Sequence, residues 1–195
     1  MPSVNQARVA NSLLAALPRA EYQRLLTGIE PVTLTFGEVL YQPGEPIRYT
    51  YFPNDCLVSL LAVVEGRTVL EVGLVGSEGM VGIPLALGIG VSPVRALVQR
   101  TGAAMRMKSA RFLHEFRQNP SLQRELFRYT HALMAQATQI AVCSRFHLLE
   151  ARLARSLLMN CDLVQSYEFQ LTHEFLAHTL GVRRVGVTKA AGALQ

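Results

Sequence analysis

The apolar period of this chain turns helical for most of its remaining length at Lys108, and that change limits the fold more than any other feature. Before it, apolar residues come in short strand-like runs. Val32, Leu34 and Phe36 alternate with threonines, and Val39-Leu40-Tyr41, Tyr49 to Phe52, Leu57 to Val64, Arg67 to Val75 and Ala96 to Gln99 follow. Pro43-Gly44-Glu45-Pro46, Pro53-Asn54-Asp55 and Glu65-Gly66 separate them as turns. Short runs at roughly 8–12-residue spacing predict a small antiparallel β-barrel or jelly roll. Residues 5–28 ahead of them read as a short helical segment, with Pro18 at a helix start and Tyr22, Leu25 and Leu26 on one face. After Lys108 the apolar spacing becomes three and four, which is helical. The expected class is α+β, strands first and helices after.

The helical half has three parts. Ser109 to Gln118 places Phe112 and Phe116 four apart and stops at Asn119-Pro120. Leu122, Leu126, Tyr129, Leu133, Gln136, Ile140 and Cys143 are then spaced alternately four and three, a heptad seam. Such a narrow stripe predicts a parallel homodimer through Leu122, Leu126, Tyr129, Leu133, Gln136 and Ile140, with Gln136 fixing register. A helix packed on its own barrel stays open as the alternative. Leu148 to Val164 forms the next helix, with Leu149, Leu153, Leu157 and Leu158 inward, and leads through Gln165-Ser166-Tyr167 into the last segment.

That segment, Thr172 to Gln195, reads as two short helices broken at Gly181. Thr172 can cap the first, with Glu174 in its first turn where the helix dipole favours negative charge. Leu176, Ala177 and Leu180 give it an apolar face, and Gly181 suits a left-handed turn residue. Val187, Ala190, Ala191 and Leu194 form the buried stripe of the second helix, leaving Arg184, Thr188, Lys189 and Gln195 outside. This is the helix-turn-helix layout, whose outward face fits a DNA major groove. An ordinary helical hairpin with a solvated basic face remains open on this segment alone.

Charge separates those readings. Net charge is +5, but residues 1–99 carry six Lys/Arg against eight Asp/Glu, and residues 100–195 carry thirteen against six. The basic excess lies with the helix-turn-helix, as phosphate neutralisation requires. Cys56, Cys143 and Cys161 are too far apart for a CxxC pair and read as idle thiols. The N-terminus lacks a secretory pattern and the longest apolar run is too short to span a bilayer, so a cytoplasmic protein without a membrane partner is expected. His173 and His178 are five apart, about 140° around a helix, so they do not share a zinc-ligand face. No catalytic or metal-ligating set is identified, and an enzyme is not expected.

Several strings carry a resemblance: Gly44-Glu45-Pro46, Tyr51-Phe52-Pro53, Glu71-Val72-Gly73, Gly76-Ser77-Glu78-Gly79-Met80-Val81-Gly82, Arg152-Leu153-Ala154-Arg155 and Leu180-Gly181-Val182-Arg183-Arg184. With the element order, they resemble the Crp/Fnr family of bacterial transcription regulators. The resemblance implies a cyclic-nucleotide-binding-like sensor domain over 1–118, a dimerisation helix over 119–146, and a helix-turn-helix DNA-binding domain over 147–195. Implied partners are double-stranded DNA at a palindromic operator, a second copy of the chain, and RNA polymerase. Gly82 and Arg95 are the implied effector positions. Gly82 is followed by Ile83, where nucleotide-responsive members carry a ribose-binding Glu, and Arg95 by Ala96, where they carry Ser or Thr. The resemblance therefore implies the cassette's shape without implying cyclic AMP or another certain cofactor. Residues 1–55 contain no cysteine for an oxygen-sensing iron–sulfur cluster. Arg184 and Lys189 are the implied base or phosphate contacts, assisted by Arg183 and Thr188, with Thr172 on a phosphate at a helix start. Val185 stands where members carry an acidic base-reading residue. Members continue into a β-hairpin wing, so a winged helix truncated at Gln195 is expected, and an effector-binding or protein-interaction module that does not bind DNA is the alternative.

Overall fold

The computed structural model describes residues 11–64, 69–164 and 170–194. Residues 1–10, the start of the Arg67 run, the Gln165-Ser166-Tyr167 connection and Gln195 lie outside them. Two short helices, α1 (Ser12–Ala15) and α2 (Arg19–Leu26), precede the strands. Asn11 caps α1 and also donates to the Pro53 and Gly79 carbonyls at 2.9 Å each, which ties this helix to the strand region. Glu115, on the helix that follows the strands, holds α2 to that helix: it is buried and ion-paired to Arg24 at 3.0 Å and Arg111 at 2.7 Å.

Seven strands follow: β1 (Ile29–Leu34), β2 (Val39–Tyr41), β3 (Tyr49–Pro53), β4 (Leu57–Val63), β5 (Val69–Val75), β6 (Arg95–Arg100) and β7 (Gly102–Lys108). They form two antiparallel sheets, ordered β1-β7-β3 and β2-β6-β4-β5, rather than a closed barrel. The jelly-roll side of the expectation therefore describes the molecule, and β5 is left as an edge. Phe36 falls outside β1 and is exposed, although its alternation with Val32 and Leu34 extends the strand on paper. Strand β7 was not anticipated. It is central in its sheet yet built from Ala103, Ala104, Met105 and Met107, residues with weak strand preference. The glycine-rich loop holds a 3₁₀ helix, Ile83–Leu87, flanked by left-handed Gly82 (φ 110°) and Gly88 (φ 80°).

The chain then becomes helical: α3 (Ser109–Gln118), α4 (Pro120–Phe146), α5 (Leu149–Val164), α6 (His173–Leu180) and α7 (Arg184–Ala193). Asn119 caps α4 by accepting from the Leu122 N–H at 2.8 Å, and Pro120 occupies the first turn where no donor is needed.

The heptad seam of α4 faces its own chain. Leu122 and Leu126 have no exposed surface and belong to the core between the sheets, with Tyr129 and Leu133 packed on that core. Gly73 and Gly79 permit the approach. A Cβ on Gly79 would stand 2.2 Å from the Tyr129 ring, and one on Gly73 would stand 3.1 Å from Leu133. Gln136 bonds Leu74 on edge strand β5, accepting from its N–H at 2.8 Å and donating to its carbonyl at 3.3 Å. Its role is to satisfy an edge rather than to set a coiled-coil register. Ile140 and Cys143 are buried too. The six residues assigned to a dimer interface are thus intrachain contacts; heptad spacing alone does not distinguish a partner helix from a sheet face.

Candidate nucleic-acid interface

Helices α5, α6 and α7 share a second hydrophobic cluster of Leu153, Leu176, Ala177, Val187 and Ala190. Burying Val187 completely contributes about 1.5–3 kcal/mol. It fixes which side of α7 turns outward. Gly186 brings α7 close to α5, since a Cβ there would stand 3.0 Å from Leu149. Two residues placed inward on spacing are exposed instead: Leu158, and Leu194 at the last turn of α7. Ala191 is half-buried.

The turn between α6 and α7 follows its sequence. The Thr172 hydroxyl caps α6 by accepting from the Phe175 N–H at 3.1 Å. Gly181 is left-handed at φ 65°, and the Val182 N–H returns to the Ala177 carbonyl at 2.9 Å while the Gly181 N–H reaches His178 at 3.3 Å. These paired bonds are a Schellman ending. Arg152 on α5 donates to the Leu180 carbonyl and so places a cation at the C-terminus of α6.

Arg183 caps α7 through its extended backbone, and Arg184, Val185, Thr188 and Lys189 lie exposed on α7 itself. Among the described residues none of the three cations has an ion-pair partner. Thr188 donates to the Arg184 carbonyl at 3.2 Å and meets His173 Nδ1 at 3.1 Å. That contact brings the start of α6, where Thr172 is exposed, beside the outward side of α7. Thr172 and Thr188 are thereby neighbours, whereas Arg184 and Lys189, five apart on α7, point about 140° from one another. Motif reasoning had set His173 aside as a failed zinc ligand and so missed its contact with Thr188, which lies fifteen residues away.

Arg95 and Gly82, the implied effector positions, are both engaged within the chain. Arg95 donates from Nε to Gln42 at 2.7 Å. Gly82 has Tyr41 against it, the hydroxyl beside the Gly82 N–H, and burial pushes the Tyr41 phenol up beyond its ordinary value. The Tyr129 hydroxyl is enclosed beside Met80 without a bonded partner, and burial raises its pKa well above the ordinary phenol value. A cavity of about 500 Å³ is lined by Tyr41, Glu45, Arg48, Tyr49 and Tyr51, and another of about 660 Å³ lies between Phe36, Gln99 and Thr172. Cys56 is buried, which lifts its thiol to about 11 and leaves it unreactive.

No protein-family model matches the sequence, and no curated protein does. Solved structures do match. CLP of Xanthomonas campestris, a c-di-GMP responsive global regulator, aligns with a TM-score of 0.76 and 17% identity over 91% of this chain and 92% of its own. FixK2 of Bradyrhizobium japonicum gives 0.72 and 14% over 85% and 84%. A CRP/FNR-family transcriptional regulator of Thermus thermophilus gives 0.67 and 25% over 85% of each chain. This chain has the fold of the Crp/Fnr-family transcription regulators.

Proposed function

We propose that the chain is a DNA-binding transcription regulator of the Crp/Fnr type, reading a two-fold symmetric operator as a homodimer. The observation that carries this reading is that Arg183, Arg184, Thr188 and Lys189 are exposed at the start of α7 and along it, behind a left-handed Gly181 turn, with no ion-pair partner for the three cations among the described residues. Arg184 and Lys189 make base or phosphate contacts, and Thr172 meets a phosphate at the start of α6. Residues 1–118 act as the sensor part, 119–146 as the dimer helix and 147–195 as the reading part. The two separate hydrophobic clusters support the boundary near 147, and Leu122 and Leu126 seat the start of the dimer helix on the sensor core.

The dimer forms through the face of α4 opposite its buried seam. Phe127, His131, Met134, Thr138 and Ala141 repeat there at spacings of four and three, all exposed, with Val142 beside them. Cytoplasmic action at promoters, where RNA polymerase is admitted or excluded, follows from this role. No helix among the described residues is long and apolar enough to cross a membrane.

Selection from random duplexes should enrich a palindrome. A pool with no symmetric enrichment defeats the reading. On the selected site, Arg184→Ala or Lys189→Ala should each cost about 1–3 kcal/mol if the side chain reads a base. A phosphate contact instead lowers affinity for all sequences and reduces the salt slope by about one.

A further inference from the structure

Nine polar or charged residues are buried among the described ones, and six are satisfied at least in part by nearby turns, caps, strands or ion pairs: Asn11, Thr50, Ser92, Glu115, Asn119 and Thr179. The other three form a single run from the β-sandwich into the reading helices. The Ser59 hydroxyl on β4 donates to Gln99 Oε1 on β6 at 2.7 Å, and Gln99 Nε2 donates to Asn160 Oδ1 on α5 at 2.7 Å. Asn160 Nδ2 is held in turn by the Ser156 carbonyl at 2.9 Å. Each amide is oriented by the next group, so the run is directional from end to end.

The rest of this junction is packing of backbone and apolar groups: a Cβ on Gly181 would stand 3.3 Å from the Val69 carbonyl, and one on Gly76 would stand 3.4 Å from Leu163 of α5. The cavity of about 660 Å³ opens beside the run, bordered by Phe36, Leu57, Leu171 and Thr172. Across such a gap dispersion has no partner atoms and sets no orientation. The Phe36 and Phe175 rings touch at 5.8 Å between centroids, with Phe36 largely in water. Apolar contact is tolerant of angle, whereas two short amide bonds are not.

We propose that Ser59, Gln99 and Asn160 are positioning residues that fix the α5–α7 unit on the sandwich, so that the two heads of a dimer are held at the spacing of a two-half-site operator. The inference rests on the DNA-reading function above. The hydrogen bonds of Asn160 run to Gln99 and Ser156 and none to α7 among the described residues, so cutting the run alters how the heads are held rather than how each one reads.

Two readouts test it on the full chain. The first is the distance distribution between spin labels at Val39→Cys and Val185→Cys, two exposed positions on either side of the junction. It should be narrow in the parent and broaden in Asn160→Ala, and to a smaller degree in Ser59→Ala, which removes only a hydroxyl. The second is the ratio of affinity for the complete operator to that for an isolated half-site. Asn160→Ala should lower it about tenfold, the net worth of roughly one hydrogen bond, with half-site affinity unchanged. An unbroadened distribution in both variants overturns the proposal whatever happens on DNA. An unchanged ratio overturns it as well, including the case where both affinities fall together. A parent chain that binds no duplex defeats the function instead, and the label distances still decide the orientation.

Discussion

Two parts of the helical half rest on the same sandwich and hold it by different physics. Helix α4 is locked by fully buried Leu122 and Leu126, by Tyr129 seated against Gly79, and by Leu133 over Gly73. Helices α5 and α6 meet the sandwich through the Gln99–Asn160 bond, the Phe36–Phe175 contact, an open cavity and the Gly181 turn set against Val69 of β5. Separating α4 would expose core apolar surface at about 25 cal/mol per Å². Separating α5 would exchange amide bonds for water at small net cost. Helix α4 therefore belongs to the body of the protein, while α5 to α7 share a hydrophobic cluster of their own.

Leu126→Ala should break the first half of that contrast most strongly. A fully buried leucine facing the inter-sheet core costs about 2–5 kcal/mol on truncation, measurable by urea unfolding. A loss near zero in the monomeric form would return the seam to an interchain role. Gly79→Ala comes next, at about 1–3 kcal/mol, because the added Cβ would meet the Tyr129 ring at 2.2 Å. Pairing it with Tyr129→Leu should recover most of the loss in a double-mutant cycle. Simple additivity would show that the ring does not sit there.

Legibility followed the same contrast. Signals that act within one element could be read directly: the Thr172 cap, the left-handed Gly181, the stop at Asn119-Pro120, and the inward Val187 and Ala190. The exposure of Arg183, Arg184, Thr188 and Lys189 also followed from such signals. What misled depended on neighbours outside the element. Strand β7 is central because β1 and β3 flank it, and nothing in Ala103-Ala104-Met105 announces that. The seam of α4 has one spacing whether it faces a helix or a sheet, and the glycines that decide the matter lie some fifty or more residues upstream. Asn160 and Gln99 carry no motif, because their importance comes only from being buried together.

The smallest effect expected is also the one that separates the two contacts by pH. Glu71 on β5 lies at the α5 junction, with Arg152 and Arg155 of α5 and Cys143 of α4 around the same small cavity. Burial raises its carboxyl to about 7, against the lowering influence of the Ser59 hydroxyl and Arg155. A carboxyl free in water titrates well below that, so the docked state holds an extra proton between the two values. The Glu71 contribution to docking is therefore complete below the ordinary carboxylate range and is lost as pH rises through about 7. Hydrogen-exchange protection of α6 amides, corrected for the intrinsic rate, should fall between pH 6 and pH 8, while that of α4 around Leu126 stays level. Glu71→Gln should flatten the α6 response. If the variant keeps the full pH dependence, another group drives it and Glu71 is a bystander at the junction.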